Sequence, residues 1–400
     1  MKSVGVIGQG YVGLAVATAA AAAGHSVTGF DTNSTIIKNL ELGKSHIEDV
    51  KDSKLKKLIK SSFYRPTNNP ADLSRCEVVI IAVPTPLDSE RIPDLRNIEA
   101  AIQTIITSIK KSALIINEST SYPGTLRNVI AKKISDATGI NHRYAISPER
   151  IDPGNIKWNV ENTPRLVAGL DNKSAKEVVD FYSTFTKTLK LVSTPEVAEM
   201  AKLAENSFRY VNIAFVNELA KVAHGFNVNI GEVLEAANSK PYGFMKFFPG
   251  AGVGGHCIPI DPLYLTYESK QKGLSTPLLD KADEVNTSMP KYVVNRILSD
   301  HNQKLSGKNV VVVGVSYKPD ISDTRESPAL EILKLLADNG AHTMWHDPLV
   351  SAFNNQLSSE ISNQDIAIVL CLHKSVNLKK LRQINYVFDC TGKVPWAKNL

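Results

Sequence analysis

Cysteine is scarce in this chain: there are four in 400 residues, Cys76, Cys257, Cys371 and Cys390, and no two stand at CxxC spacing. That pattern excludes a disulfide framework and a zinc ribbon, and no metal site is expected. Long apolar runs are missing too. The small-residue stretch LAVATAAAAAG at residues 14–24 is too short and too alanine-rich to span a bilayer, and reads as a tightly packed helix. Nor is there a dense basic block. The formal net charge of +6 is mild and suits an anionic small molecule. The richest basic run, KDSKLKKLIK at residues 51–60, reads as a solvated helix face and not as a nucleic-acid footprint. No repeat array, low-complexity segment or secretory signal pattern appears. A soluble, cytoplasmic chain that engages neither membrane nor nucleic acid is expected.

What is present is ordinary globular composition, 43% hydrophobic and 22% charged, over a length that predicts two or three domains. The first 33 residues read as strand, glycine turn, helix and second strand. Gly8, Gly10 and Gly13 complete G-x-G-x-x-G directly after the apolar VGVI, with Tyr11 and Val12 between the last two glycines. Asp31 closes the second strand about 20 residues on, as a dinucleotide-binding turn requires. Gly8 permits the tight turn, Gly10 lets backbone amides approach a pyrophosphate, and Gly13 allows helix to pack on strand. The helix N-terminus favours the anion. Asp31 accepts hydrogen bonds from both ribose hydroxyls and repels a 2′-phosphate, while Thr32 and Asn33 offer no cation to rescue one. NAD is therefore expected over NADP, although the motif by itself is also compatible with a flavin nucleotide.

Three further apolar runs end in polar residues: CEVVIIAVPTP at Thr85, SALIINESTSYPGT at residues 118–120, and RYAISPERIDPGN at Ser147 and Glu149. With helical segments between them they predict a doubly wound parallel sheet, in which ligands lie outside the carboxyl ends of strands. Thr85, Thr120 and Glu149 then share a rim with the glycine loop. Each taken singly is equally a turn or cap residue.

Beyond TLKLVSTPEV the pattern changes. Thr194 is the expected N-cap of a helix with Pro195 at its first position, early acids Glu196 and Glu199, and Gly225 as a stop. Helical periodicity over residues 195–224 predicts a rod on the order of 45 Å long. Lys202 and Asn206 share one face of it, a spacing that a plain surface polar pair would also give. Cys257 stands in GAGVGGHCIPIDP, beside His256 and four residues before Asp261. A buried core thiol and a nucleophile are both open readings of that segment. From Lys308 a second strand–loop–helix–strand pattern begins, without G-x-G-x-x-G, and its polar loop YKPDISDTRES offers Lys318 and Arg325 to phosphates. The expected fold is α/β, two Rossmann-like doubly wound domains joined by a long central helix and helical segment. The boundaries fall at 1–193, 194–300 and 301–400.

Taken together, GQGYVGL, VPTP, ESTSYPGT, SPERIDPG, AKLAENSFR, GVGGHCIPIDP and YKPDISDTRESP resemble, in order, the motifs of the UDP-glucose/GDP-mannose dehydrogenase family. The resemblance runs over nearly the whole chain. Within the family, SPERIDPGN, KPYGFMKFFPG and GGHCIPIDPLYL are similar to the branch acting on UDP-N-acetylglucosamine. Lys240-Pro241-Tyr242-Gly243 stands where the UDP-N-acetylmannosamine branch more often has His-Pro-Arg. The resemblance implies oxidation of a UDP-sugar C6 alcohol to a carboxylate with two NAD+ in turn, for a surface polysaccharide. UDP-N-acetylmannosamine and UDP-glucose are the alternative substrates, and a non-catalytic nucleotide-sugar binder is the alternative from another class.

The resemblance also implies roles. Cys257 attacks the aldehyde to give a thiohemiacetal and then a thioester. Lys202 places an ammonium near the oxyanion and thiolate, Asn206 orients the same oxygen, and Asp261 takes part in the proton relay. Glu149 handles the water that cleaves the thioester, and Thr120 holds that water. The division of base duty among Lys202, Asp261 and Glu149 stays open. Gly8, Gly10, Tyr11, Val12, Gly13, Asp31, Thr85, Thr120 and Arg325 are the expected cofactor contacts. Substrate contacts are expected from Glu149, Lys202, Asn206, Gly254, Lys318 and the Tyr242 to Phe248 loop, whose aromatics either stack or pack. His256 is not assigned to catalysis, because neighbours in an extended loop point apart. A homodimer or higher homo-oligomer is implied, with the long helix at its contact and domain closure gating entry.

Overall fold

The computed structural model describes residues 1–152, 154, 155 and 157–400, so Pro153 of the SPERIDPGN segment lies outside the described residues. The chain divides into two compact units, Met1–Glu205 with Leu263–Lys272, and Asn206–Pro262 with Gly273–Leu400.

The first unit is built on an eight-stranded sheet: β1 (Ser3–Ile7), β2 (Ser26–Phe30), β3 (Tyr64–Thr67), β4 (Val78–Ile81), β5 (Leu114–Asn117), β6 (Arg143–Ile146), β7 (Arg165–Gly169) and β8 (Leu189–Leu191). Their spatial order is β3-β2-β1-β4-β5-β6-β7-β8. All pairs are parallel except β6 with β7. β4 and β5 are buried at every position, VVII and LIIN, which is the unbroken apolar signature of strands covered on both faces. Strand order reverses between β1 and β4. A crevice is therefore required at their carboxyl ends, where residues 8–10 and 82–85 emerge. The helix Tyr11–Ala22 fits against the sheet because its facing side chains are small: Ala17 and Ala20 are fully buried.

The second unit holds a five-stranded parallel sheet and a two-residue hairpin. Its strands are β9 (Asn309–Val313), β10 (His342–His346), the hairpin pair β11 (Ala352–Phe353) and β12 (Gln356–Leu357), then β13 (Ile366–Val369), β14 (Tyr386–Asp389) and β15 (Lys398–Asn399). The sheet order is β10-β9-β13-β14-β15, so its reversal lies between β9 and β13. This is the second doubly wound sheet the sequence predicted. Asp347, just past β10, occupies the place that Asp31 holds past β2, but its carboxylate is saturated internally. It accepts from the amides of Val315 and Ser316 at 2.9 and 3.1 Å and from Nε2 of a fully buried His373 at 3.0 Å.

One continuous 31-residue helix, Pro195–Gly225, contributes its first eleven residues to the first unit and the rest to the second. Its start is as expected: the Thr194 hydroxyl accepts from the Val197 amide at 3.3 Å. Among the described residues no helix is long and apolar enough to cross a membrane.

The packing of helix on strand at the first turn is tight enough to test. A Cβ at Gly13 would lie 1.8 Å from the Gly8 carbonyl oxygen, and backbone has no rotamer to swing away. Gly13→Ala is expected to cost about 1–3 kcal/mol, read as a lowered midpoint in urea unfolding. An unchanged midpoint would mean the turn is looser than drawn.

Candidate active site

The first unit brings the glycine loop, Asp31, Thr85, Thr120, Glu149 and Lys202 to strand ends and the neighbouring helix. Gly8 has φ +93°, a left-handed conformation, and a Cβ there would meet the Ala82 carbonyl oxygen at 2.4 Å. At Gly10 a Cβ would meet nothing within 4 Å, so this backbone is open to a close ligand. Tyr11 and Val12 begin the helix that follows the loop, with Gly10 at its N-cap. Asp31 Oδ2 accepts from the Gln9 amide at 2.7 Å and Oδ1 from the Asn33 amide at 2.8 Å. The carboxylate is thus fixed beside the loop. The donor set, the open Gly10 and the anchored acid fit a dinucleotide with free ribose hydroxyls. Thr85 is buried four residues past β4, across the reversal point from the glycine loop.

Thr120 lies in the segment after β5, and both ends of that segment are fastened. At its start the Ser119 hydroxyl accepts from the Val83 amide at 2.9 Å and donates to the Val83 carbonyl at 2.8 Å. At its end the amides of Gly124 and Leu126 donate to Glu199 Oε2 and Oε1 at 2.6 and 3.0 Å. Glu149 follows β6, and its amide donates to the Glu118 carbonyl at 3.2 Å, which ties the two segments together. Lys202 Nζ is 3.9 Å from Glu149 Oε2, both side chains being more than nine-tenths buried. Arg150 Nε pairs with Glu205 at 3.2 Å, and Arg150 Nη1 donates to the Pro164 carbonyl at 2.8 Å.

Glu199, Lys202 and Glu205 are spaced by three along one helix, so they fall on one face. That face grips the Thr120 and Glu149 segments at three points. Glu196 lies in the first turn of the helix, as expected, and also pairs with Arg127 at 2.7 Å; Glu199, one turn further on, serves another segment's backbone. Glu118, read from the sequence only as the polar end of a strand, forms a buried pair at 2.8 Å with Arg165, which escaped sequence reasoning.

The second unit holds Asn206, Cys257, Asp261, Lys318, Arg325 and the Tyr242 to Phe248 loop. Asp261 is buried and begins a helix, and its amide donates to the Cys257 carbonyl at 2.8 Å. Its Oδ2 accepts from Asn206 Nδ2 at 2.6 Å. Asn206 and Asp261 are therefore joined directly, and Cys257 is one hydrogen-bonded turn from Asp261. Gly254 and Gly255 have an intramolecular reason to be glycine. Their Cβ atoms would meet Tyr317 at 2.7 and 2.9 Å, and the Gly255 amide donates to the Arg325 carbonyl at 2.9 Å. The cysteine loop is thus laid against the loop that follows β9, which also carries a half-buried Lys318.

Arg325 forks onto Asp323 at 2.9 and 3.0 Å. Burial pulls its guanidinium down, but the Asp323 carboxylate overrides this, with Tyr317 and the Cys257 sulfur adding, so Arg325 stands above its ordinary value. Tyr242 and Phe248 are exposed at 72% and 63%, each beneath a lysine ammonium, Lys240 at 5.0 Å and Lys246 at 4.8 Å. His256 is half-buried beside the cysteine.

The four thiols differ in kind. Burial pushes Cys76 up to about 11, Cys371 up to about 12, and Cys390 well above its ordinary value. Cys257 is the half-buried one. Chemically, the first unit supplies a nucleotide cradle, an ammonium and a carboxylate, and the second supplies a half-buried thiol, an amide and a carboxylate.

The glycine loop and anchored acid at the switch point of the first sheet define a dinucleotide-binding protein, and comparison with known proteins gives its kind. Three family models match in order: UDP-glucose/GDP-mannose dehydrogenase family, NAD binding domain, over residues 2–186; central domain, over 196–288; and UDP binding domain, over 311–394. The chain belongs to the UDP-glucose/GDP-mannose dehydrogenase family of NAD-dependent oxidoreductases. It is 34% identical to the UDP-N-acetyl-D-mannosamine dehydrogenase of Pyrococcus horikoshii, over 94% of this chain and 92% of that one. It is 30% identical to the enzyme of that name from Escherichia coli K12, over 98% of each. The solved Pyrococcus horikoshii structure superposes with a TM-score of 0.90 at 32% identity, covering 99% of this chain and 98% of that one. A UDP-glucose dehydrogenase from Pyrobaculum islandicum gives 0.89 at 27%, covering 100% and 96%. These relatives carry the mannosamine and glucose names, where the sequence motifs had pointed to the glucosamine branch.

Burial pushes Glu199 up to about 7 from 4.5, against the pull of the Leu126 and Gly124 amides. A folded value above the unfolded one means the fold favours the neutral acid. The stability it contributes is full below about pH 4.5 and is lost as pH rises through about 7. Between about pH 5 and pH 8 the parent chain should lose about 2–3 kcal/mol more stability than Glu199→Gln. Urea unfolding at the two pH values reads the difference, and identical pH dependence in the two proteins would contradict it.

Proposed function

We propose that this protein oxidises the C6 alcohol of a UDP-N-acetylhexosamine to the carboxylate in two successive two-electron steps, with UDP-N-acetylmannosamine as the sugar. The names of the relatives support the mannosamine form. A second reading, the glucosamine form, is favoured by Lys240-Pro241-Tyr242-Gly243 in place of the His-Pro-Arg segment. The observation that carries the chemistry is the second unit's linkage of thiol, carboxylate and amide: Cys257 to Asp261 through the backbone at 2.8 Å, and Asp261 to Asn206 at 2.6 Å.

Gly8, Gly10, Tyr11, Val12, Gly13, Asp31 and Thr85 hold the cofactor in this reading, with Arg325 meeting it from the second unit. NAD+ bound there supplies hydride acceptance, one equivalent for each oxidation. Asp261, with Lys202, takes the C6 hydroxyl proton in the first oxidation. Cys257 sulfur then adds to the aldehyde carbon, because a free aldehyde lacks the tetrahedral hydride donor that a thiohemiacetal provides. Lys202 and Asn206 stabilise the oxygen that carries the developing negative charge. Oxidation of this adduct leaves a thioester on Cys257. Water, held by Thr120 and deprotonated by Glu149, cleaves it. Lys318 meets the diphosphate as a cation, Gly254 and Glu149 line the sugar, and Tyr242 and Phe248 border the nucleotide.

The quaternary state belongs to the same proposal. Phe208, Phe215 and Val222 recur every seven residues along the long helix and are 51%, 51% and 48% exposed, an apolar stripe suited to a second copy. A protein of 43.7 kDa per chain should run near twice that mass in light scattering, and a monomer at micromolar concentration would remove this part of the reading.

Two activity measurements test the rest. NADH absorbance with a panel of UDP-sugars should show turnover of UDP-N-acetylmannosamine above the glucosamine and glucose forms. Turnover of UDP-glucose alone would overturn the substrate assignment. Cys257→Ser should retain NAD binding and lose sustained acid production by about 10³-fold or more, the scale of removing a covalent nucleophile. Full acid production by that variant would end the thioester scheme.

A further inference from the structure

Beneath the Thr120 and Glu149 segments lies an ion pair that the reaction described so far does not use. Arg165, the first residue of β7, has its side chain 6% exposed, and its partner Glu118 is fully buried. Arg165 Nη1 is 2.8 Å from Glu118 Oε1 and donates to the Ser147 hydroxyl at 3.1 Å. The Tyr182 hydroxyl donates to the same Glu118 oxygen, and the Arg165 guanidinium lies over the Tyr182 ring at 4.5 Å. Glu118 Oε2 has no hydrogen-bond partner. Burial disfavours the guanidinium charge, and Glu118, Tyr182 and Glu149 together hold it protonated.

Two facts make this more than packing. Glu118 is two residues before Thr120, and Ser147 is two residues before Glu149, so one guanidinium clips together the two segments that carry the water-handling groups. A buried ion pair is also a poor way to gain stability, since well-packed apolar residues of similar volume often do as well or better. Its geometric return is orientation: Nη1 reaches Glu118 and Ser147 at once while the planar guanidinium lies over the Tyr182 ring.

We propose that Arg165 is a positioning residue for thioester cleavage, holding Thr120 and Glu149 in register with each other. The proposal rests on the thioester reading above. In the step concerned, water oxygen bonds to the thioester carbonyl carbon and its proton passes to the Glu149 carboxylate. The carbon–sulfur bond then breaks with its electron pair going to Cys257 sulfur. No oxidation or reduction occurs, so loosening Arg165 should slow this step and leave both hydride transfers intact.

The test compares the parent enzyme with Arg165→Lys, which keeps the charge and loses the planar guanidinium, and with Ser147→Ala, which takes the Ser147 hydroxyl away from Arg165 and Tyr182. Each is mixed rapidly with NAD+ and the UDP-sugar that the parent turns over, and NADH is followed from the first turnover. Acid-quenched samples are weighed intact by mass spectrometry. Arg165→Lys should release a burst approaching two NADH per chain and then turn over about a hundredfold more slowly than the parent. Its quenched protein should carry the mass of the sugar nucleotide acyl group on Cys257. Ser147→Ala should show the same pattern with about a tenfold slower steady rate. A merely structural role would lower burst and steady rates together and leave no adduct, and that result overturns the proposal. So does wild-type steady turnover in a folded Ser147→Ala, which stands as the deciding variant if Arg165→Lys does not fold. If the parent forms no NADH with any UDP-sugar, the proposed function itself fails first, and that outcome is distinct from both.

Discussion

One face of the long helix sets the geometry of the first unit's share of the site. Three side chains on successive turns reach three different partners: Glu199 the amides that follow the Thr120 segment, Lys202 the carboxylate of Glu149, and Glu205 the guanidinium of Arg150. These partners lie far from the helix in sequence and belong to two connections of the sheet: residues 124–126 follow β5, and the consecutive Glu149 and Arg150 follow β6. A rigid rod with acids and a lysine three residues apart meets both. Lys202 is therefore placed by the helix and not by its own flexible stem. Asn206, four residues on along the same helix, is likewise held, by Asp261.

Charge is arranged with the same economy. Glu118 and Arg165 are buried together, Glu149 and Lys202 are buried together, and Arg165 is held protonated by both acids. Each of these two cations thus has an acid near it and each of these two acids a cation, which is the condition for keeping ionised groups out of water. Glu199 is hydrogen-bonded by backbone amides instead, and burial raises its ionisation.

The parts legible in the sequence are those whose cause is local. The glycine loop and Asp31 could be read because a tight turn, a helix start and a strand end lie within one supersecondary unit. Thr85, Thr120 and Glu149 could be placed because parallel strands send every carboxyl end to one rim. The long helix announced itself by Thr194, Pro195 and unbroken periodicity. The pairing of Arg165 with Glu118 was not legible, because they are 47 positions apart and meet only when β7 folds back antiparallel on β6. Glu199 was visible as an early acid but its distant partners were not, since an acid in the first turns of a helix has a sufficient local explanation. The packing of Tyr317 against Gly254 and Gly255 was not legible either, being a contact across some sixty residues of chain.

The second sheet shows how a shared architecture separates two tasks. Asp31 beside the first glycine loop keeps its carboxylate at the crevice, whereas Asp347 is drawn inward by two amides, a hydroxyl and His373. One acid is held at the glycine loop and the other locks its own turn. The proposed function turns on a single enzyme sulfur that captures the aldehyde left by the first oxidation and carries it through the second. The most direct measurement is the ratio of NADH formed to sugar acid formed, with product counted by anion exchange after complete turnover of limiting UDP-sugar. The account predicts two NADH for each acid and no released aldehyde; one NADH for each oxidised sugar, with aldehyde in solution, would contradict it.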